Sequence, residues 1–344
     1  MGSNMPRNIV ISLLVFVVTL GSAAAKDAKP PTVDELMTRL GYSDQDRADL
    51  KSGKIVTTDV ERTRDDQLIA AAAMFLPVPP KELLPGTIEG RGFKDDPGIL
   101  AFGTLSPSVE SAEWQAVGFT ASELSEAKKL HGYRGGSDYN LSAREIEALN
   151  AELEAVSADS EELPQKVSAA YREILKARHQ AYLQGGLSGI SPYQQGDTTL
   201  EPAKELAAVA GQATDFLQAF FPRFAKVFLG FPKDSHPEVT QGFFWLKRNV
   251  EGRPGLVLMH QMVAGGDDYV LLTRREYFVG HTYESLQVVA VALPVEGGSA
   301  VFFVNSAFTD QITGFFSGVA QSVGQDRMKS DLAKYFETVQ EKVN

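Results

Sequence analysis

The sequence contains no cysteine in its 344 residues. A disulfide framework is therefore excluded, and so is an N-terminal cysteine that could carry a lipid. Long apolar runs are also lacking beyond the N-terminus. Spanning a bilayer takes about 20 apolar residues, and no later stretch of the chain approaches that length. The sequence therefore predicts no transmembrane segment once its N-terminus has been removed.

Basic residues are scarce, with 33 Lys and Arg against 44 Asp and Glu, and the formal net charge is −11. Because nucleic-acid phosphates bind basic patches, this balance argues against a nucleic-acid partner. It argues equally against simple electrostatic adsorption to anionic lipid. The hydrophobic fraction of 43% predicts a folded chain, and its length allows one large domain or two small ones. A neutral or apolar ligand in an interior pocket is compatible with these features.

The N-terminus has the three parts of a secretory signal. One basic residue, Arg7, precedes the apolar run Ile9–Leu20, and small residues follow at Ala23 and Ala25, the two positions that a signal peptidase reads. The apolar run is too short for a membrane-spanning helix, which needs about 20 residues. We therefore predict that residues 1–25 are a cleaved signal peptide and that the mature protein is periplasmic or secreted.

Hydrophobic periodicity divides the rest of the chain into three parts. Residues 26–119 are predicted to be N-terminal strands and loops that contribute to an α+β core. Residues 120–240 show helical spacing, with capping-box patterns at Thr120 and Ser142, and are predicted to be a helical insertion or cap. Residues 241–344 show period-2 alternation in an antiparallel meander and then return to helical spacing. The predicted fold class is α+β, an antiparallel sheet packed on a long C-terminal helix, with a large helical middle region.

The individual elements follow from alternation, turn residues and helix caps. The predicted strands are 54–62, 67–76, 241–250, 255–263, 268–280, 284–293 and 300–308. The predicted helices include 32–40, 81–84, 200–228, with a break at Pro222, and 310–343.

Two stretches carry a resemblance to a known fold family. In Ile55–Leu84, two predicted strands precede Val78-Pro79-Pro80-Lys81-Glu82-Leu83, and Gly242–Val343 combines the meander with the final helix. This order resembles the helix-grip layout of START-like proteins. The resemblance implies that a curved sheet wraps the last helix and that a lipid or another apolar molecule lies between them. Residues 85–240 are longer than such a core supplies, so they are either an insertion covering the pocket or a departure from the family.

The predicted strand 269–284 carries most of the candidate binding residues. If its odd-numbered face looks inward, polar groups of Arg275, Tyr277, His281 and Tyr283 enter a pocket with apolar walls. Leu271 and Val279 would then form the walls, together with Phe315 and Phe316 of the last helix. If the even-numbered face looks inward, Arg274 and Glu276 take that position instead. A third interpretation is that these side chains are solvent-facing charges and cross-strand aromatic pairs.

Motifs for catalysis or metal binding are not evident. His260 alternates with apolar residues and is either a hydrogen-bonded core residue or part of the pocket. His281 and Glu284 lie three residues apart, which on a strand places them on opposite faces and disfavours a shared metal. Ser188 follows a predicted helix and lacks the G-x-S-x-G pattern of a nucleophile elbow. We therefore expect no catalytic residue, no metal and no cofactor.

Three kinds of function fit these features. The favoured prediction is an exported soluble protein that binds an apolar or amphipathic, lipid-like molecule in an interior pocket. The alternatives are a periplasmic hydrolase and a cell-envelope interaction module without a ligand. The first predicts an enclosed apolar cavity, the second an open cleft with coupled titratable groups, and the third an exposed apolar patch. A binding protein is favoured over an enzyme, and the sequence does not define the oligomeric state.

Overall fold

The computed structural model describes residues 29–313 and 317–343 of the chain. Within these residues, eight strands form one antiparallel sheet in the spatial order β1–β2–β10–β9–β8–β7–β6–β3, and β4 and β5 form a separate hairpin. In chain order the strands are β1 (Val56–Asp59), β2 (Gln67–Leu76), β3 (Ile99–Leu105), β4 (Tyr193–Gln195), β5 (Thr198–Leu200), β6 (Thr240–Val250), β7 (Arg253–Gly265), β8 (Val270–Val279), β9 (Ser285–Val295) and β10 (Gly298–Phe308). The helices are α1 (Val33–Arg39), α2 (Asp44–Lys51), α3 (Pro80–Ile88), α4 (Leu124–Leu130), α5 (Ala143–Leu153), α6 (Leu163–Gly185), α7 (Pro202–Phe220), α8 (Pro222–Gly230) and α9 (Ser317–Val343).

Strands β6 to β10 form the predicted antiparallel meander, and each boundary lies within two residues of the prediction. The turn between β6 and β7 consists of Glu251 and Gly252, with φ of 55° and 81°. Positive φ at both central residues matches the twist of a two-residue hairpin, which is why a glycine stands in this turn. The sequence pattern was sufficient to predict the meander because the turn residues and the alternation favour the same strand pairing.

Strand β2 joins the sheet beside β10, although its run Ala70–Ala73 has weak strand propensity. All four alanines are fully buried. Ala70 and Ala72 face the cluster that contains α9, and Ala71 and Ala73 face the cluster that contains α1 and α7. Because an alanine side chain is small, helices can approach this strand closely from both faces, and this packing outweighs the propensity.

Helices cover both faces of the sheet. On one face, α3 and α9 pack against β2 and β7 to β10. On the other face lie α6, α7 and α8 from the middle region, together with α1 and α2. The middle helices therefore pack on the face opposite α9, and do not form a cover over the space between α9 and the sheet.

The fold class predicted from the sequence is confirmed: the protein is α+β, with a large antiparallel sheet packed on a C-terminal helix. That helix begins later than predicted. Asp310–Ile312 forms a short 3-10 turn capped by Thr309, and α9 starts at Ser317. Residues 1–25, Phe315 and Phe316 lie outside the described residues.

Several local predictions need correction or refinement. The region 187–198, predicted to be a loop, contains β4 and the beginning of β5, and α2 was not predicted. Capping boxes are present at Ser142 and Thr120, but the second one begins a 3-10 turn before α4. Pro222 ends α7 and occupies the first position of α8, where its missing N–H costs nothing.

Candidate functional site

A cavity of about 810 Å³ lies between the sheet and α9. Its floor comes from β7 to β10, and its remaining sides come from α9, residues 92–99 and the end of β6. This volume lies within the range of small-molecule sites, about 300–1,000 Å³. The cavity opens to solvent, which differs from the enclosed volume expected of a carrier.

The cavity exists because α9 is held over β2, the strand next to the short edge strand β1. Gln325 bonds both the N–H and the carbonyl of Ile69, and Gln340 donates to the carbonyl of Phe75, 3.0 Å away. Strand β1 pairs only with residues 70–73 of β2, so Ile69 and Phe75 lie beyond its ends. These glutamines satisfy backbone groups that the short edge strand leaves open. As a result, α9 follows β2 and leaves space above β8 and β9.

Most of the cavity surface is apolar. The apolar lining residues are contributed by the sheet and by the first half of α9, and they include Leu68, Leu286, Val288, Phe303, Ala307, Ala320, Val323, Met328 and Leu332. The alternating residues of β9 and β10 supply the floor, because one face of each strand looks toward α9.

Two clusters of charged and polar side chains lie at the cavity. The first consists of Arg248, Glu276 and Tyr283. Arg248 Nη1 lies 3.0 Å from Glu276 Oε1, and it also donates to the Tyr283 hydroxyl at 3.1 Å. Tyr283 in turn donates to Glu276 Oε2 at 2.7 Å. Burial alone would lower the pKa of Arg248, but Glu276 and Tyr283 outweigh it and the pKa is raised. This group is therefore a closed ion pair in which the charges compensate each other.

The second cluster is centred on Arg274. Its Nε donates to Gln261 Oε1 at 2.9 Å, its guanidinium lies 4.4 Å from the centre of the Phe93 ring, and the nearby Tyr335 hydroxyl favours its charged form. In residues 29–313 and 317–343, no carboxylate forms an ion pair with it. Burial holds the pKa of Arg274 below its ordinary value, and Arg248 adds to the lowering. Arg274 is thus a positive charge at the cavity with neutral partners only.

Ion pairs between exposed side chains bridge the cavity rim. Arg327 of α9 reaches Glu251 in the β6–β7 turn at 3.1 Å, and Lys342 pairs with Asp95. Because these groups are largely in water, each pair contributes about 0–1 kcal/mol. Their contribution is to tie α9 to the opposite rim.

The predicted binding residues of β8 are divided between the two faces of the sheet. A β-bulge interrupts the pairing of β7 with β8, because Leu258 pairs with Phe278 while Met259 pairs with Glu276. Tyr277 is the extra residue, and alternation changes phase across it. Leu271 and Tyr277 therefore pack with the middle helices, and Val279 packs on the other face. The interpretation that all odd-numbered residues of this segment share one face is therefore wrong beyond Tyr277.

Arg275, Tyr277 and His260 form a buried network on the face away from the cavity. Tyr182 of α6 links them, with its hydroxyl 3.0 Å from His260 Nδ1 and 3.3 Å from Arg275 Nη1. The Tyr182 and Tyr277 rings stack with centroids 4.0 Å apart, and the Tyr277 hydroxyl lies 2.7 Å from Nδ1 of His179. Burial lowers the pKa of His260, and Arg275 adds to this effect. These residues do not line the cavity.

The remaining predicted residues are also separated. Tyr283 lines the cavity. His281 is buried beyond the end of β8, where its ring contacts Tyr139 at 6.2 Å between centroids, and burial, with Arg253 nearby, lowers its pKa to about 4. Phe315 and Phe316 lie outside the described residues.

The lining residues that the sequence prediction missed include four polar side chains of the site. Arg274 and Glu276 appear only in the alternative choice of face, while Arg248 and Tyr335 were not considered. The alternation of β8 identified the first two as a pair. Local sequence could not identify Arg248 and Tyr335 as site residues. Their positions depend on the pairing of β6 with β7 and on the rotation of α9 about its axis, which involve residues distant in sequence.

Features of a hydrolase or a metal site are not found in the described part of the chain. No serine and no histidine lines the cavity there, and no group of three His, Asp or Glu side chains could hold a metal. Ser188 is exposed at the end of α6, and its hydroxyl donates to the carbonyl of Gly185 at 2.8 Å.

No family model, curated protein or solved structure matches the chain. Among the helices in the described ranges, none has the length and apolar character needed to cross a membrane.

Proposed function

We propose that this protein binds an apolar or amphipathic small molecule in the cavity between the sheet and α9. The observation that carries the proposal is the volume of about 810 Å³ at that place, with a mostly apolar surface and charged side chains at Arg274, at the Arg248–Glu276 pair and along the rim. Such sites combine hydrophobic walls with a small number of polar groups that orient the ligand.

The exposed apolar residues of α9 support this proposal. Val319 and Val323 are 69% and 63% exposed, although the helical pattern of the sequence places them on the apolar stripe. Val323 and Ala320 line the cavity, whereas Leu332 and Phe336 further along are buried against the sheet. The stripe thus extends past the part of α9 that the sheet covers. An apolar ligand would bury the uncovered part.

Burial of apolar surface alone would supply enough free energy to bind such a ligand, without a covalent bond. Burying about ten methylene groups would contribute roughly 8 kcal/mol before ordering costs. Ordering and desolvation reduce this figure, so micromolar affinity is a reasonable expectation. The signal-like N-terminus supports the further proposal that binding takes place outside the cytoplasm.

The test is titration of a fluorescent fatty-acid analogue and a fluorescent sterol analogue into wild-type protein and two tryptophan variants. Ala320→Trp fills the cavity from α9 and should weaken binding at least about tenfold, which corresponds to 1.4 kcal/mol. Glu337→Trp adds the same ring at an exposed position of the same helix and should leave binding unchanged. Circular dichroism checks that both variants fold.

Two results would contradict the proposal. One is wild-type protein that binds neither analogue, and the other is equal binding by wild type and Ala320→Trp. The exposed apolar side chains Val319 and Val323 would then favour the interaction module without a ligand.

A further inference from the structure

The register of the sheet places Arg274 in the cavity floor. Asn305 of β10 pairs with Val288 of β9, Val288 pairs with Arg274 of β8, and Arg274 pairs with Gln261 of β7. Residues in such a row point to the same face. Arg274, a partly exposed residue, therefore lies directly beside the apolar residue Val288 at the cavity.

The other charges at the cavity have their own partners. Arg248 pairs with Glu276. At the rim, Arg327 pairs with Glu251 and with Asp331, which also lies 3.6 Å from Lys334. A fourth carboxylate, that of Asp96, accepts from the Gly98 N–H at 2.8 Å and forms no ion pair with Arg274 within the described ranges. Among the positive charges that line the cavity in the described part of the chain, that of Arg274 is therefore the one without an ion-pair partner.

Several contacts keep the Arg274 guanidinium fixed. Gln261 holds its Nε while donating to the carbonyls of Thr87 and Ile88 at 2.9 Å and 3.2 Å, at the end of α3. A Cβ atom at Gly92 would lie 2.8 Å from the Tyr335 hydroxyl oxygen and 4.0 Å from Arg274 Nη2, so glycine leaves room for the tyrosine beside the guanidinium. A charge held this way loses little further side-chain entropy when it binds an anion.

An unpaired arginine alone does not identify a ligand site, as Arg275 shows. Arg275 is 4% exposed and bonds the neutral groups of Gln287 and Tyr182, with the Phe228 ring 4.8 Å away. It is packed on all sides and does not line the cavity. Arg274 differs because a ligand in the cavity can reach it.

We propose that the ligand is an amphiphile with an anionic head, a carboxylate or a phosphate, which pairs with Arg274 while its tail lies along Val288, Leu286 and Leu332. This inference rests on the proposed binding function and specifies its ligand class. The guanidinium fork matches both anions and forms charge-assisted hydrogen bonds with either. The pairing would also compensate a desolvated charge.

The experiment compares probes with one tail and different heads: dodecanoate, dodecyl phosphate, dodecanol and dodecylamine, measured by calorimetry at pH 7.5. Wild-type protein should bind the better of the two anions at least about tenfold more tightly than the alcohol, since a hydrogen bond to a charged group contributes about 1.5–3 kcal/mol. The ratio of the two anion affinities decides between a carboxylate and a phosphate. The amine should bind more weakly than the alcohol.

Three variants make the test specific to Arg274. Arg274→Met should lose the preference for anions over dodecanol, and Arg274→Lys should keep part of that preference. Arg91→Met removes a charge that is exposed and paired with Glu89, and should change nothing. Measurable dodecanol binding, with an unchanged circular dichroism spectrum, shows that the cavity of the methionine variant is intact.

The outcomes separate this inference from the proposed function. If all four probes bind with similar affinity, or if Arg274→Met retains the anion preference, the anionic head is refuted and the binding function stands. If no probe binds, both proposals fail.

Discussion

Replacing Glu284 with glutamine should stabilise the protein, and the gain should depend on pH. Glu284 is 2% exposed, next to Ser285, whose hydroxyl donates to Glu205 Oε2 at 2.8 Å. Burial raises the pKa of Glu284 to about 9, and the carboxyls of Glu205 and Asp310 add to the rise. Glu284 is therefore protonated in the folded protein at neutral pH, but ionised in the unfolded chain.

The magnitude follows from linkage between protonation and folding. A raised folded-state pKa leaves stability unaffected below the ordinary pKa of 4.5 and lowers it as pH rises toward 9. Each pH unit in that window costs about 1.4 kcal/mol, so the cost at pH 7 is about 3 kcal/mol. Glu284→Gln removes this cost because glutamine cannot ionise in the unfolded chain. The variant should match wild type near pH 4.5 and exceed its free energy of unfolding by about 3 kcal/mol at pH 7.

Urea unfolding followed by circular dichroism at pH 4.5, 6 and 7 measures the effect. Other titrating groups, including Glu205 with its pKa raised to about 7 by burial, are present in both proteins. The exposed Glu147 gives a matched control, since Glu147→Gln should change stability by less than about 0.5 kcal/mol at each pH. A gain that is the same at all three values of pH, or a loss at pH 7, would refute the reasoning.

Three further predictions follow from other parts of the fold. Phe336→Ala should cost about 3–5 kcal/mol in urea unfolding, because Phe336 is fully buried against Phe303, whereas Val319→Ala at an exposed position of the same helix should cost little. The ring protons of His281 should titrate near pH 4 in NMR spectra because burial lowers its pKa to about 4; a midpoint near 6.5 would contradict the burial. Its folded-state pKa lies below the unfolded value, so this group lowers stability as pH falls from about 6.5 to 4. N-terminal sequencing of the exported protein should begin at Lys26, and a chain that begins at Met1 would contradict signal cleavage.

The parts of the fold that sequence reasoning predicts are those in which local signals agree. The β6–β7 turn has a glycine, its flanking strands alternate, and both features require an antiparallel hairpin. Capping boxes at Thr32 and Ser142 mark helix starts because their side chains bond the first free N–H groups. Strand 67–76 was also predicted, and β2 has the same bounds, although its run Ala70–Ala73 has weak strand propensity. Helices that pack on both faces decide its conformation, and these contacts come from distant parts of the sequence.

The composition of the cavity was less predictable than its position. The resemblance to START-like proteins implies space between the meander and the final helix, and the structure has a cavity there. Which side chains line it depends on the β-bulge at Tyr277, which changes the phase of alternation within β8. It also depends on the middle helices, which bury the second face of the sheet and so remove the contrast between polar and apolar faces on which alternation relies.

Arg274 and Arg275 illustrate this limit and provide a final test. They are adjacent in sequence, and both have neutral partners, yet only Arg274 borders the cavity.

Arg275→Met should reduce stability, because Arg275 fills a packed position between Tyr182, Gln287 and the Phe228 ring. It should nevertheless retain the preference for an anionic amphiphile over dodecanol, whereas Arg274→Met should lose it. Both variants remove one positive charge within one residue of each other, so a general loss of charge would affect both preferences alike. Equal loss in the two variants, measured by calorimetry on folded protein, would mean that no contact at Arg274 is responsible and would overturn the assignment of the head group to that side chain.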